Sequence, residues 1–362
     1  MNGFQREAAA LRQRELAAVE KVLRSGWYIL GNEVRAFESE WAQKIGTRHA
    51  VGVGNGMDAI EIGLRALGIS AGDEVITTPM TAFASVLAIL RAGAQPVLAD
   101  IDPATAQMSI ESARRCLSPK TRAVLLVHLY GHAHRLDQWK AFCDAAGLHL
   151  LEDCAQAHLA GCNGIRAGAW GSIGAFSFYP TKNLGAIGDG GALVTNDEAV
   201  ATKARQLRNY GQSERYHHPV LGLNSRLDEL HAAILRERLA VLDEYTARRR
   251  AIARAYRVGI ANPAIRLLVL PGHEENHVHH LFVLCCEQRD RLAEHLRARG
   301  IESLIHYPIP VHRQPPCTDL PRDPAGLAAA ERHGQVCLSI PCNPQLTDPE
   351  VASVVRALNE FR

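Results

Sequence analysis

The chain has 362 residues, 47% hydrophobic and 22% charged, which allows a large core and leaves room for two domains. Its 40 basic and 38 acidic residues leave a net charge of +2, too balanced for a nucleic-acid or membrane-surface binder, so small neutral or anionic partners fit better. Nine cysteines without a CxxC pair, in contexts such as "VLCCEQ", read as buried reduced thiols rather than a disulfide framework.

Taken in chain order, the first segment is charged throughout, has no signal-like apolar stretch, and repeats apolar residues at Leu11, Leu16, Val19 and Leu23. That spacing predicts an amphipathic helix closed by Gly26. No later stretch is long and apolar enough to cross a bilayer, and the expected location is the cytoplasm. Short β-rich runs then alternate with helical patterns: "HAVGVG" before "MDAIEIGLRALG", "DEVITTP" before "MTAFASVLAILRAG", "RAVLLVHLYG" before "LDQWKAFCDAAG", then "LHLLED". Such alternation predicts crossover units on a mostly parallel sheet, an α/β class. Two hairpin-like strands follow, "SIGAFSFY" and "GGALVTND". Ser225 and Asp228 have capping-box spacing, and helical periodicity from Arg226 to about Val258 predicts one long helix between two domains. The expected division is a large domain over 1–240 and a smaller α+β domain over 241–362.

Three places carry candidate chemistry. In "VGVGNGMDAI" a strand passes through Gly52, Gly54 and Gly56 into a helix start, where backbone N–H groups and the helix dipole can meet an anion. A plain tight turn is the alternative. Met57 stands where a dinucleotide fingerprint needs its third glycine, which counts against a nicotinamide oxidoreductase, and no GxxxxGK[ST] loop occurs. "LHLLED" places Asp153 at the carboxyl end of a parallel strand, a position where open sheets bind ligands and where a solvated loop acid or helix cap is equally ordinary. Lys182 is the one charged residue between Arg166 and Asp189, within "FSFYPTKNLGAIGDGG". Apolar surroundings favour a neutral amine, which is the nucleophile of a Schiff base and the residue type that holds pyridoxal phosphate. That cofactor also requires an acid at its ring nitrogen and a phosphate cup, for which Asp153 and the Gly56 turn are available; the bland alternative is a lysine snorkelling from a loop. The histidine groups "YGHAH" and "NHVHH" lack the second half of a metal motif, so no metal is expected, and a GxSxG serine elbow is missing.

The blocks "GNGMDAIEIGLRALGISAGDEVITTPMTAFAS", "EDCAQAHLAG", "FSFYPTKNLGAIGDGGALVTND", "LRNYGQ", "GLNSRLDELHAAIL" and "LIHYPIPVHRQ" resemble the sugar aminotransferases of the DegT/DnrJ/EryC1/StrS family. The resemblance runs from about Gly26 to the C-terminus. It implies the PLP-dependent transferase fold type I, aspartate aminotransferase-like, with a mostly parallel central sheet and a smaller C-terminal α+β domain. By position it implies Lys182 as the lysine bonded to pyridoxal 5'-phosphate and as acid–base, Asp153 as the acid at the ring nitrogen, and Gln156 as the amide near the ring hydroxyl. Gly56, Met57, Asp58 and Ser177 would hold the phosphate, Phe83 would stack on the ring, and Asn224 would reach the phosphate of the neighbouring subunit in a homodimer. Members with histidine in place of the lysine dehydrate sugars instead; Lys182 is present, so transamination is expected. Leu159 departs from the family's usual glycine and His231 from its glutamine.

The implied reaction takes an amino group from L-glutamate to a nucleotide-linked keto-sugar. The C-terminal blocks are most similar to those of members acting on dTDP-linked 3-keto-6-deoxyhexoses, with amination of a 4-keto sugar, dTDP- or UDP-linked, as the alternative. Trp27, Tyr28, His306, Tyr307 and His312 are candidate sugar or diphosphate contacts, or else inter-domain packing. A non-enzymatic regulator on the same scaffold would be the other class, although nothing basic or helix-turn-helix-like is present to bind DNA.

Overall fold

The structure, a computed structural model, describes residues 3–270 and 273–362. Helices α1 (Ala9–Ser25) and α2 (Asn32–Ile45) precede β1 (His49–Val53), α3 (Gly56–Ala66), β2 (Glu74–Thr77), α4 (Phe83–Arg91), β3 (Gln95–Leu98), α5 (Ile110–Arg115), β4 (Thr121–Val127), α6 (Leu136–Ala146) and β5 (His149–Asp153). A short excursion, β6 (Gly161–Cys162) with β7 (Ile165–Arg166), leads to β8 (Ile173–Ser177), β9 (Gly191–Thr195), α7 (Glu198–Leu207), α8 (Glu229–Leu239) and α9 (Leu242–Gly259). The C-terminal part holds β10 (Ile265–Leu267), β11 (Phe282–Cys286), α10 (Arg289–Arg297), α11 (Ala328–Val336), β12 (Cys337–Ile340) and α12 (Asp348–Asn359).

Seven strands form the central sheet in the order β1-β9-β8-β5-β4-β2-β3. β8, β5, β4, β2 and β3 run parallel, and β9 pairs antiparallel with both β8 and β1. The strands are apolar on both faces because each face is covered. Phe37, Trp41, Phe176 and Phe178 pack on one side, and Ile60, Ile62, Leu64 and Leu193 on the other. The smaller antiparallel sheet β10-β11-β12 carries a further core of Tyr256, Phe282, Leu284, Leu292, Leu338 and Leu358. The two sheets together make the mostly parallel α/β architecture with a smaller α+β unit. All nine cysteines are free and buried. Among the described residues no helix is long and apolar enough to cross a membrane.

Three expectations need correction. The single helix over 226–258 is two, α8 and α9, separated at Ala240 and Val241. The division is physical: Leu235 and Leu242 pack into the core beside the central sheet, whereas Ile252, Ala253 and Tyr256 pack against the small sheet, and the chain bends between the two cores. Ser225 does not cap α8; Asp228 is the N-cap residue, without a side-chain cap, and the Ser225 hydroxyl accepts the Gly54 N–H at 2.9 Å. On α1, Leu11 and Val22 are buried but Leu16 and Leu23 are exposed.

The two histidine groups, 145 residues apart in sequence between His132 and His277, meet in space. The His132 ring lies 5.1 Å from those of His134 and His277, and the His277 and His279 rings stack at 4.0 Å. All four are buried. Burial, reinforced by neighbouring histidines and arginines, depresses His132 and His279 to about 3 and His134 to about 4, and places His277 well below its ordinary value. An unfolded histidine titrates near 6.5. Below that pH the unfolded chain takes up protons that the folded stack refuses, so the stabilisation is complete above about pH 6.5 and is lost on acidification toward pH 3 to 4. The unfolding free energy read from denaturant titrations is therefore expected to fall between pH 7 and pH 5, by about 2 kcal/mol for each histidine that stays neutral. A flat profile over that range would contradict the buried stack.

Candidate active site

Chain direction places the ends of β1, β5 and β8 and the start of β9 along one edge of the central sheet. Gly191 is the register partner of both Val53 and Ser177, and Ala175 pairs with Asp153. From β1 the chain turns through Asn55 into α3, whose first residue is Gly56. A Cβ at Gly56 would lie 2.6 Å from the Ser177 Cβ, so glycine is what allows the start of α3 to close on β8. The Asn55 side chain caps α3 by accepting the Asp58 N–H at 2.8 Å. The Gly56 and Met57 amides belong to the first turn, where a helix has no carbonyl of its own to offer them. Donors at a helix N-terminus with the Ser177 hydroxyl alongside suit a phosphate. Asp58 itself is buried, 3.6 Å from Arg91.

Asp153 is 6% exposed. Its Oδ2 accepts the Ser85 hydroxyl at 2.7 Å and its Oδ1 accepts the Ala155 N–H at 3.1 Å. Ser85 lies in the first turn of α4, whose leading residue, Phe83, is partly exposed. Lys182, on the loop between β8 and β9, is half-buried. Burial pushes its ammonium below the usual lysine range, and the charge of Asp153 opposes that shift. An anion cup, a fixed carboxylate and an amine inclined to neutrality form the donor set that a phosphorylated pyridine aldehyde requires.

Gln156 is buried beside this set, its Oε1 accepting the Tyr130 N–H at 2.6 Å and its Nε2 donating to the Tyr307 hydroxyl at 3.2 Å. Burial and the Asp153 charge push the Tyr307 phenol up to about 12. His306 Nδ1 is paired with the Ser339 hydroxyl at 2.8 Å. His312 is 2% exposed and its Nε2 is 2.9 Å from Glu331, which Arg313 also contacts. Trp27 and Tyr28 are exposed, and the Trp27 indole donates to the Ile29 carbonyl at 2.7 Å. Asn224 is exposed on a backbone bridge to Asn209. Leu159 has a φ of 70°, the left-handed region in which glycine is unstrained, which explains why that position suits glycine. His231 packs against Gly188, where an added Cβ would lie 3.0 Å from its ring.

Sequence reasoning missed Ser85, Tyr130 and Glu152. Ser85 reads as an ordinary residue near a helix start. Tyr130 opens the block "YGHAH", whose histidines are its more conspicuous polar residues. Glu152 reads as one half of an acidic pair, yet it points to the other face of β5, is fully buried, and accepts the N–H groups of Gly168, Trp170 and Gly171 besides contacting His128 at 3.0 Å. Alternation along the strand was the available signal, since adjacent side chains face opposite sides.

The DegT/DnrJ/EryC1/StrS aminotransferase family matches this chain over residues 9–359. The dTDP-3-amino-3,4,6-trideoxy-alpha-D-glucose transaminase of Streptomyces venezuelae is 46% identical over 354 residues, 97% of this chain and 93% of the relative. The crystal structure of S. venezuelae DesV in complex with ketimine intermediate superposes with a TM-score of 0.94 at 46% identity, covering 97% of this chain and 95% of that one. The structure of NtdA from Bacillus subtilis with bound cofactor PMP superposes with a TM-score of 0.89 at 29% identity, covering 97% and 82%.

Proposed function

The chain belongs to the DegT/DnrJ/EryC1/StrS aminotransferase family, and on that footing we propose that it moves an amino group from L-glutamate to the third carbon of a dTDP-linked 3-keto-6-deoxyhexose. It is a nucleotide-sugar transaminase whose cofactor is pyridoxal phosphate. When bound, the cofactor supplies an electron-withdrawing ring that accommodates the electron pair left when the amine-bearing carbon loses its proton. The chain's own residues do the rest. Lys182 Nζ would hold the aldehyde and would carry the proton to and from the donor's α-carbon. Asp153 would hold a proton on the ring nitrogen, and its tie to Ser85 keeps the carboxylate in place. The Gly56, Met57 and Asp58 turn and Ser177 would hold the phosphate, Phe83 would cover a ring face, and Gln156 would meet the ring hydroxyl.

His306 and Tyr307 are proposed to face the sugar, with Trp27 and Tyr28 at the rim; the buried pair of His312 with Glu331 gives that residue a supporting place instead. Asn224, exposed here, is proposed to reach the phosphate held by a second copy, so that the working unit is a homodimer with shared sites in the cytoplasm. Exposed Leu16, Leu23 and Trp27 supply apolar surface for such an interface. The proposed division is a cofactor domain over 1–240 and a smaller domain over 241–362. The observation that carries this reading is the convergence of Asp153, Lys182 and the start of α3 at one sheet edge. Its test is a panel of dTDP- and UDP-linked 3-keto and 4-keto sugars offered with glutamate, with the position of the new amine read by NMR. Amination at the third carbon is expected; amination at the fourth alone would overturn the substrate assignment.

A further inference from the structure

We propose that Tyr130 is a positioning residue, closing a hydrogen-bond circuit that fixes the Gln156 amide and the Tyr307 hydroxyl against each other across the junction of the two sheets. The inference rests on the reading of Gln156 and Tyr307 given above, as cofactor-side and sugar-side contacts. Tyr130 sits in the single turn Leu129–Gly131 after β4, is 1% exposed, and has a φ of 64°. A bulky residue in the left-handed region is held there by its contacts.

Those contacts form a ring. The Tyr130 N–H donates to Gln156 Oε1 at 2.6 Å. A backbone N–H can only donate, so the amide oxygen must face it and the amide nitrogen must face the other way. On that other side, Gln156 Nε2 donates to the Tyr307 hydroxyl at 3.2 Å. Tyr307 is covalently preceded by His306, and the His306 carbonyl accepts the Tyr130 hydroxyl. The hydroxyl also lies 2.9 Å from His333 Nε2, which stands outside the ring and can donate to it. Gly131 makes the approach possible, since a Cβ there would lie 2.7 Å from the Gln156 carbonyl oxygen and 2.8 Å from Val278. One residue therefore links the Gln156 amide, through its backbone N–H, to the His306–Tyr307 segment, through its hydroxyl.

Removing the hydroxyl by Tyr130→Phe leaves the Gln156 bond to the backbone N–H and frees the His306 carbonyl. The Tyr307 side should loosen while the phosphate cup, built from α3 and Ser177, is untouched. In the holoenzyme, Tyr130→Phe is expected to weaken equilibrium binding of a dTDP-linked 3-amino-6-deoxyhexose about tenfold. Affinity for pyridoxal phosphate and the rate of the glutamate half-reaction should stay within twofold. A general packing defect would move all three together, and that result would overturn the proposal, as would a sugar affinity in Tyr130→Phe equal to that of a wild type that binds the sugar. A wild type that binds no nucleotide-linked sugar would instead remove the reading of the site on which the proposal rests. His333→Gln leaves the ring closed and is expected to keep sugar affinity within twofold. A tenfold loss there in folded protein points to packing of the C-terminal unit and overturns the proposal, and this arm decides even if Tyr130→Phe does not fold.

Discussion

Lys182→Ala is expected to lower turnover about 10⁴-fold while leaving the fold intact, because one nitrogen is asked to serve both as nucleophile and as proton carrier. The loop that presents it is held by other groups. Its backbone N–H donates to the Tyr179 carbonyl at 2.8 Å, and the Ala186 N–H donates to the Phe178 carbonyl at 2.7 Å. Asn183 next to it bonds the Val278 carbonyl at 3.3 Å and the His280 ring at 3.1 Å. Truncating the lysine removes none of these bonds. It also removes a cation whose charge is disfavoured by burial, so folding stability should change little or rise slightly. Thermal unfolding and steady-state rates measured on the same preparation separate the two effects. Borohydride reduction of the wild type with pyridoxal phosphate should add one adduct at Lys182, found by peptide mass mapping. Turnover above one hundredth of wild type in the variant, or an adduct at another lysine, would sink the assignment.

The features of this site that depend on one stretch of chain were legible in the sequence. The leucine-rich run "LHLLED" ending in Asp153, three glycines leading into α3, and a lone amine at 182 each follow from local pattern, and the sheet edge then brings them together. What was not legible depends on packing between stretches. The helical periodicity across Leu239, Ala240 and Val241 is unbroken, with no proline or glycine, and only the presence of two separate cores reveals why α8 must give way to α9. His132 and His277 have no shared local motif, and their stack exists because residues 276–281 dock on 130–133, where the Ala133 N–H meets the Asn276 carbonyl at 2.7 Å and the Val278 N–H meets the Gly131 carbonyl at 3.0 Å. Likewise His312 looked like a ligand contact from its place in "IHYPIPVHRQ", and only the proximity of Glu331 gives it a buried partner. Local chemistry thus marks candidate reacting groups, and tertiary contacts decide which polar neighbours support them.

Asp153→Asn should slow the glutamate half-reaction about 10³-fold, within the range that a positioned acid or base contributes. The substitution keeps shape and much of the hydrogen bonding. An amide oxygen can still accept the Ala155 N–H, and the amide nitrogen can donate to the Ser85 hydroxyl if that hydroxyl turns to its other neighbour, Thr81, 2.8 Å away. Folding should therefore survive, and the loss isolates the charge. Two consequences of that charge are removed together: the acid that would hold the ring nitrogen protonated, and the anion that partly sustains the Lys182 ammonium against burial. Ser85→Ala provides the graded control, since it removes one bond to the carboxylate but leaves the charge, and a loss of about tenfold is expected from a bond to a charged group. Single-turnover rates with glutamate for the three proteins give the comparison. If Asp153→Asn reacts within tenfold of wild type, or Ser85→Ala costs more than it does, the carboxylate's charge is not what the site uses.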